Sequence, residues 1–68
     1  MELRWRSTET IELVDGYVVA AADGELVSRI EGARIAPEGG FLHISVPGSP
    51  QIEIVSAPAL RRIVYREN

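Results

Sequence analysis

Residues 41–66 run Phe41-Leu-His-Ile-Ser-Val46, Pro47-Gly-Ser-Pro50, Gln51-Ile-Glu-Ile-Val-Ser56, Ala57-Pro-Ala-Leu60 and Arg61-Arg-Ile-Val-Tyr-Arg66. Leu42, Ile44 and Val46 alternate with Phe41, His43 and Ser45, the period of two that places every second side chain on one face of a strand. Two prolines and a glycine then break the strand, and Ile52 and Ile54 open another. Pro58 sits where the first turn of a helix tolerates proline, and a β-rich segment, residues 62–66, follows at once. The stretch reads as a hairpin, a single 3₁₀ turn near residues 57–60, and a closing strand.

Register follows from the same residues. Directly opposed residues of an antiparallel pair share a face. If Ile52 and Ile54 join Leu42, Ile44 and Val46 in the core, the numbers of each opposed pair sum to an even value. A four-residue loop closing Val46 on Gln51 would instead set Ile44 against Glu53 and turn a charge inward. The pattern therefore predicts a three- or five-residue connection, or a bulge, around residues 47–51.

The remaining segments read the same way. Leu26 and Ile30 occupy even positions whereas Ala33 and Ile35 occupy odd ones, so the phase switches near Gly32, as at a β-bulge or sharp strand bend. Leu3 and Trp5 alternate with Arg4 and Arg6, and Ile11 and Leu13 alternate with Thr10 and Glu12. Asp15-Gly16 suits a type I′ hairpin turn that returns the chain along residues 17–22, and a second Asp-Gly pair follows at Asp23-Gly24. No window shows apolar spacing of 3.6 over a useful length. The expectation is one small β domain over residues 1–68: five to seven short antiparallel strands in a small barrel or compact sandwich, with one 3₁₀ turn before the last strand.

The order over residues 41–66, hairpin, one helical turn and closing strand, resembles the end of small SH3-like and Sm-like barrels. The early Asp15-Gly16 pair is also similar to Sm-type proteins. The resemblance is one of fold and implies no activity.

Composition narrows the chemistry. The chain has 68 residues, no cysteine, one histidine and seven basic residues, all arginine, against ten acids, for a net charge of -3 and a pI near 5.0. Disulfides, cysteine-containing zinc sites, lysine Schiff bases and a P-loop lysine are excluded. The net charge opposes bulk attraction to nucleic acid. No segment approaches the length of a membrane-spanning helix, and the N-terminal residues lack the apolar run of a secretory signal. These features lead us to expect a cytoplasmic protein without cofactor, metal site, catalytic residues or small-molecule substrate.

Three groups of residues stand out. Arg4, Arg6, Arg61, Arg62 and Arg66 cluster toward the chain ends and would form a basic patch if the first and last strands are neighbours. Val18, Val19, Ala20 and Ala21 form an uncharged edge suited to strand pairing, and Phe41 falls on the polar parity of its strand, as an interface aromatic would. His43 and Glu53 are expected to pair across strands. Trp5 and Tyr65 share the parity of Leu3 and Ile63 and are expected in the core. The functional expectation is a non-enzymatic interaction or assembly module. It would act by β-edge pairing and a split acidic and basic surface on another protein or a second copy of itself. A small acidic chain of this kind fits a phage or mobile-element factor that binds a host protein. The alternative is an RNA- or single-strand-binding barrel that uses the terminal arginines.

Overall fold

The computed structural model describes residues 3–65, which are all-β apart from one turn of 3₁₀ helix. Among the described residues nine short strands form: β1 (Arg6–Ser7), β2 (Thr10–Leu13), β3 (Val19–Ala20), β4 (Leu26–Val27), β5 (Arg29–Glu31), β6 (Arg34–Glu38), β7 (Phe41–Ser45), β8 (Ile52–Ser56) and β9 (Leu60–Val64). The 3₁₀ turn, Ala57–Ala59, joins β8 to β9 with Pro58 in its first turn, as the sequence predicts. The strands form a four-stranded sheet of order β1-β6-β7-β8, a three-stranded sheet of order β5-β2-β9, and the ribbon β3-β4.

The strand count exceeds the expected five to seven because two long strands are bent. Arg6 pairs with Ile35 in one sheet and Ile11 with Ile30 in the other, and both pairs belong to the same register. Between them the ladder continues through Thr8 N–H to Ala33 O (2.9 Å) and Gly32 N–H to Glu9 O (2.9 Å). One antiparallel ladder is thus shared by both sheets and changes direction at Gly32. Gly32 has φ +75°, a left-handed conformation that side-chain-bearing residues avoid. The buried Thr8 hydroxyl donates a further bond to Ala33 O at 2.8 Å and steadies the bend.

The core lies between the sheets. Ile11, Leu13, Val19, Ile30, Ala33, Ile35, Leu42, Ile44 and Val46 form one buried cluster, with Val27, Val55, Leu60 and Ile63 packed against it. Among the described residues the hydrogen-bonded ladders do not close into a barrel, since β8 pairs only with β7 and β9 only with β2.

Two local expectations are corrected. Tyr17 N–H donates to Val14 O at 3.1 Å, but only Gly16 (φ +93°) has positive φ, so the turn is of type II, not I′. Type II geometry does not set up a tight hairpin. Residues 17–22 accordingly do not return along β2, and β3 pairs with β4 instead. Residues 46–51 join β7 to β8 in the register of a four-residue loop that closes Val46 on Gln51. Pro47 and Gly48 (φ +80°) occupy the central positions of a type II turn closed by Ser49 N–H to Val46 O at 3.1 Å. The resulting register pairs Leu42 with Val55, His43 with Ile54 and Ile44 with Glu53. The turn preference of Pro-Gly outweighs the cost of turning Glu53 inward, and every side chain of β8 lies on the face opposite to the expected one.

Candidate functional site

The two sheets present very different outer faces. On the three-stranded sheet, Glu12 stands between Arg29 and Arg62 on the neighbouring strands. Arg62 Nη1 lies 3.8 Å from Glu12 Oε1, and Arg29 Nη2 donates to Glu31 Oε2 at 3.4 Å. The β2–β9 register shifts between Glu12 and Leu13, which leaves Arg61 as an extra residue on β9. Arg61 donates to Asp15 Oδ1 at 3.1 Å. This face is charged, paired and well solvated.

The outer face of the four-stranded sheet sets exposed apolar side chains among polar ones. Rows across it run Arg34–Ser45–Ile52, Ala36–His43–Ile54 and Glu38–Phe41–Ser56. Phe41, Ile52 and Ile54 are 57%, 47% and 58% exposed, a consequence of the β8 register that brings both isoleucines out of the core. Extending the β1–β6 register by one residue sets Trp5 beside Ala36, and the Arg34 guanidinium lies 5.5 Å from the Trp5 ring centre. His43 sits in the middle of this face, its Nε2 3.1 Å from Glu38 Oε1.

The expected site residues are redistributed accordingly. His43 and Glu53 do not pair, because they occupy opposite faces of the sheet. His43 takes Glu38 as its partner, and Glu53 Oε1 accepts the Ala20 N–H at 2.9 Å. Val19 is only 3% exposed and belongs to the core, so its side chain is not available to a partner. Val18 is exposed, Ala20 and Ala21 are half-buried, and the free side of β3 is tied at Ala20 to Glu53. Phe41 is exposed as expected.

Among the arginines, Arg61 and Arg62 are engaged with acids on the three-stranded sheet. Arg6 stacks on Tyr65, just beyond β9, at 3.8 Å from the ring centre, although β1 and β9 belong to different sheets. Arg4 is exposed, and Arg66 lies outside the described residues. The aromatic expectation is also corrected: Trp5 and Tyr65 are 36% and 39% exposed and lie under guanidinium groups at the surface. The β1–β6 register sets Trp5 on the outer-face row of Ala36 and not on the core row of Ile35. The sequence reading missed the sites at Ile52, Ile54, Arg34 and Glu38. The signal for the first two was the Pro47-Gly48 pair, whose turn type fixes loop length and hence facing.

Among the described residues no group of three or more histidine, aspartate and glutamate side chains is arranged to hold a metal ion, and no buried side-chain polar atom lacks a partner. No helix among them is long and apolar enough to cross a membrane. The chain matches no protein-family model, and neither curated proteins nor solved structures include a significant match to it.

Proposed function

We propose that this chain is a non-enzymatic protein-interaction module whose contact surface is the outer face of the four-stranded sheet and its β8 edge. The observation that carries the reading is the contrast between the two sheets. One outer face carries ion pairs, Glu12–Arg62 across strands and Arg29–Glu31 within one, while the other leaves Phe41, Ile52 and Ile54 about half exposed around a single imidazole. Soluble monomers seldom leave such clusters bare, and contiguous exposed apolar side chains mark contact surfaces. The bent ladder shared by the two sheets supports reading the scaffold as a small, partly open SH3-like barrel.

Site-specific photo-crosslinking in the producing cell tests the reading. A photoreactive phenylalanine analogue at position 41 should crosslink to protein, whereas the same group at Glu12, on the paired face, should not. Equal crosslinking from both positions would refute the assignment of the face.

A second reading draws on the stacked pairs Arg6–Tyr65 and Arg34–Trp5, which put aromatic rings and guanidinium groups together at the surface. Single-stranded RNA uses such groups for stacking and phosphate contact. Titration with labelled single-stranded RNA at two salt concentrations decides it. Binding at low salt that weakens as salt rises supports it, and no binding at low salt excludes it.

A further inference from the structure

Sheet edges expose unpaired backbone groups, and folded proteins blunt them by shortness, charge, bulges or covering side chains. Most edges here carry such a device. β1 is two residues long. β5 is three residues long and carries Arg29 and Glu31. β9 carries Arg61 and Arg62 and a register shift. The free side of β3 has its Ala20 N–H taken by Glu53. β8 differs. It has five residues, Ile52–Ser56, with no proline and no bulge.

The direction of its backbone groups follows from one bond. Ala57 N–H donates to Gly40 O at 2.8 Å in the β7–β8 register, so residues 53 and 55 bond toward β7 while 52, 54 and 56 point to the free side. Among the described residues, no strand pairs with that side of β8, and the one group on it that is engaged is Ser56 C=O, which caps the 3₁₀ turn. The side chains above this edge are Ile52 and Ile54, both exposed, and Ser56. The one charge on the strand, Glu53, points to the inner face and is held by Ala20 of its own chain.

We infer that β8 pairs with β8 of a second copy, antiparallel about a two-fold axis at Ile54, to join two four-stranded sheets into one. This rests on the interaction reading above and names its partner. The strand is self-complementary in that register. Ile54 opposes Ile54, Ile52 opposes Ser56, and Glu53 opposes Val55, so no like charges meet. Residues 52, 54 and 56 then form three opposed pairs joined by backbone hydrogen bonds, the Ser56 carbonyls accepting through the lone pair that the 3₁₀ turn leaves over. A foreign strand or a face-to-face contact of two sheets is the competing occupant.

Sedimentation over a concentration series, together with amide hydrogen exchange, tests this on the full chain. The wild type should dimerise, and the amides of Ile52, Ile54 and Ser56 should gain protection as concentration rises, with those of Glu53 and Val55 already protected by β7. Ile54→Lys opposes two ammonium groups at the axis and should abolish the dimer, whereas Leu26→Lys, at an exposed site on β4, should leave it intact. A synthetic chain with N-methylated Ile54 removes only the edge donor and should also be monomeric, which guards against a folding defect in the lysine variant. The inference is overturned by a wild type that stays monomeric at millimolar concentration, by a dimer whose Ile54 amide gains no protection, or by Ile54 variants that dimerise like wild type. A monomeric wild type that still crosslinks to other proteins through position 41 overturns the second copy alone. One that crosslinks to nothing overturns the interaction reading as well.

Discussion

Glu53→Met removes the hydrogen bond that joins β8 to β3 while keeping the length of the side chain. Glu53 is half-buried, faces Ile44 across the sheet, and accepts the Ala20 N–H at 2.9 Å. A hydrogen bond to an ionised acceptor contributes about 1.5–3 kcal/mol, and partial exposure places this one at the lower end. The methionine recovers some apolar burial beside Ile44 but leaves the Ala20 N–H without its acceptor. The expected net loss is about 1.5 kcal/mol, or roughly 6–12 °C in Tm for a domain of this size. Glu53→Gln keeps an oxygen acceptor and should lose about half as much. Thermal unfolding by circular dichroism reads the total, and exchange of the Ala20 amide reads the cause. Its exchange should speed up in the methionine variant and change less in the glutamine variant. If Glu53→Met stays within about 0.5 kcal/mol of wild type, the range of an ordinary surface change, with Ala20 exchange unaltered, the carboxylate does not hold the ribbon to the sheet and the reasoning fails.

Other expectations are simpler to check. Ile44 is fully buried at the centre of the four-stranded sheet, and Ile44→Ala should cost about 2–5 kcal/mol, comparable with the whole stability of about 3–5 kcal/mol expected of so small a core, so far-ultraviolet circular dichroism should show a largely unfolded chain. Gly48→Ala should destabilise more than Gly16→Ala: both positions have positive φ, but a Cβ at Gly48 would lie 3.3 Å from the Ala22 Cβ whereas that at Gly16 meets open space, and paired urea melts give the difference. Arg61→Ala should leave the urea midpoint unchanged, because its partner Asp15 is almost fully exposed and such pairs contribute little; a marked drop would show the β9 bulge depends on that contact.

Much of the fold was legible locally. The alternation of Ile11 with Glu12 and of Leu42 with His43 marked the buried faces correctly, the parity change at Gly32 marked the bend, and Pro58 marked the 3₁₀ turn. Each depends on residues within a few positions of one another. The candidate site was less legible because it depends on register. Treating Ile52 and Ile54 as core residues placed Glu53 beside His43, whereas a type II turn at Pro47-Gly48 reverses both assignments.

The sequence by itself determined an all-β chain, the positions of its turns and the chemistry it lacks, because strand period, turn preference and composition are properties of neighbouring residues. Only the tertiary structure decided which faces are apolar and which edges are open. A glutamate can point inward on β8 because a backbone N–H thirty-three residues earlier in the chain is there to meet it. Paired arginines can cover one sheet because β9 crosses to β2 and not to β8. Both outcomes depend on partners that fold into place, and a partner's position is not a property of the local sequence.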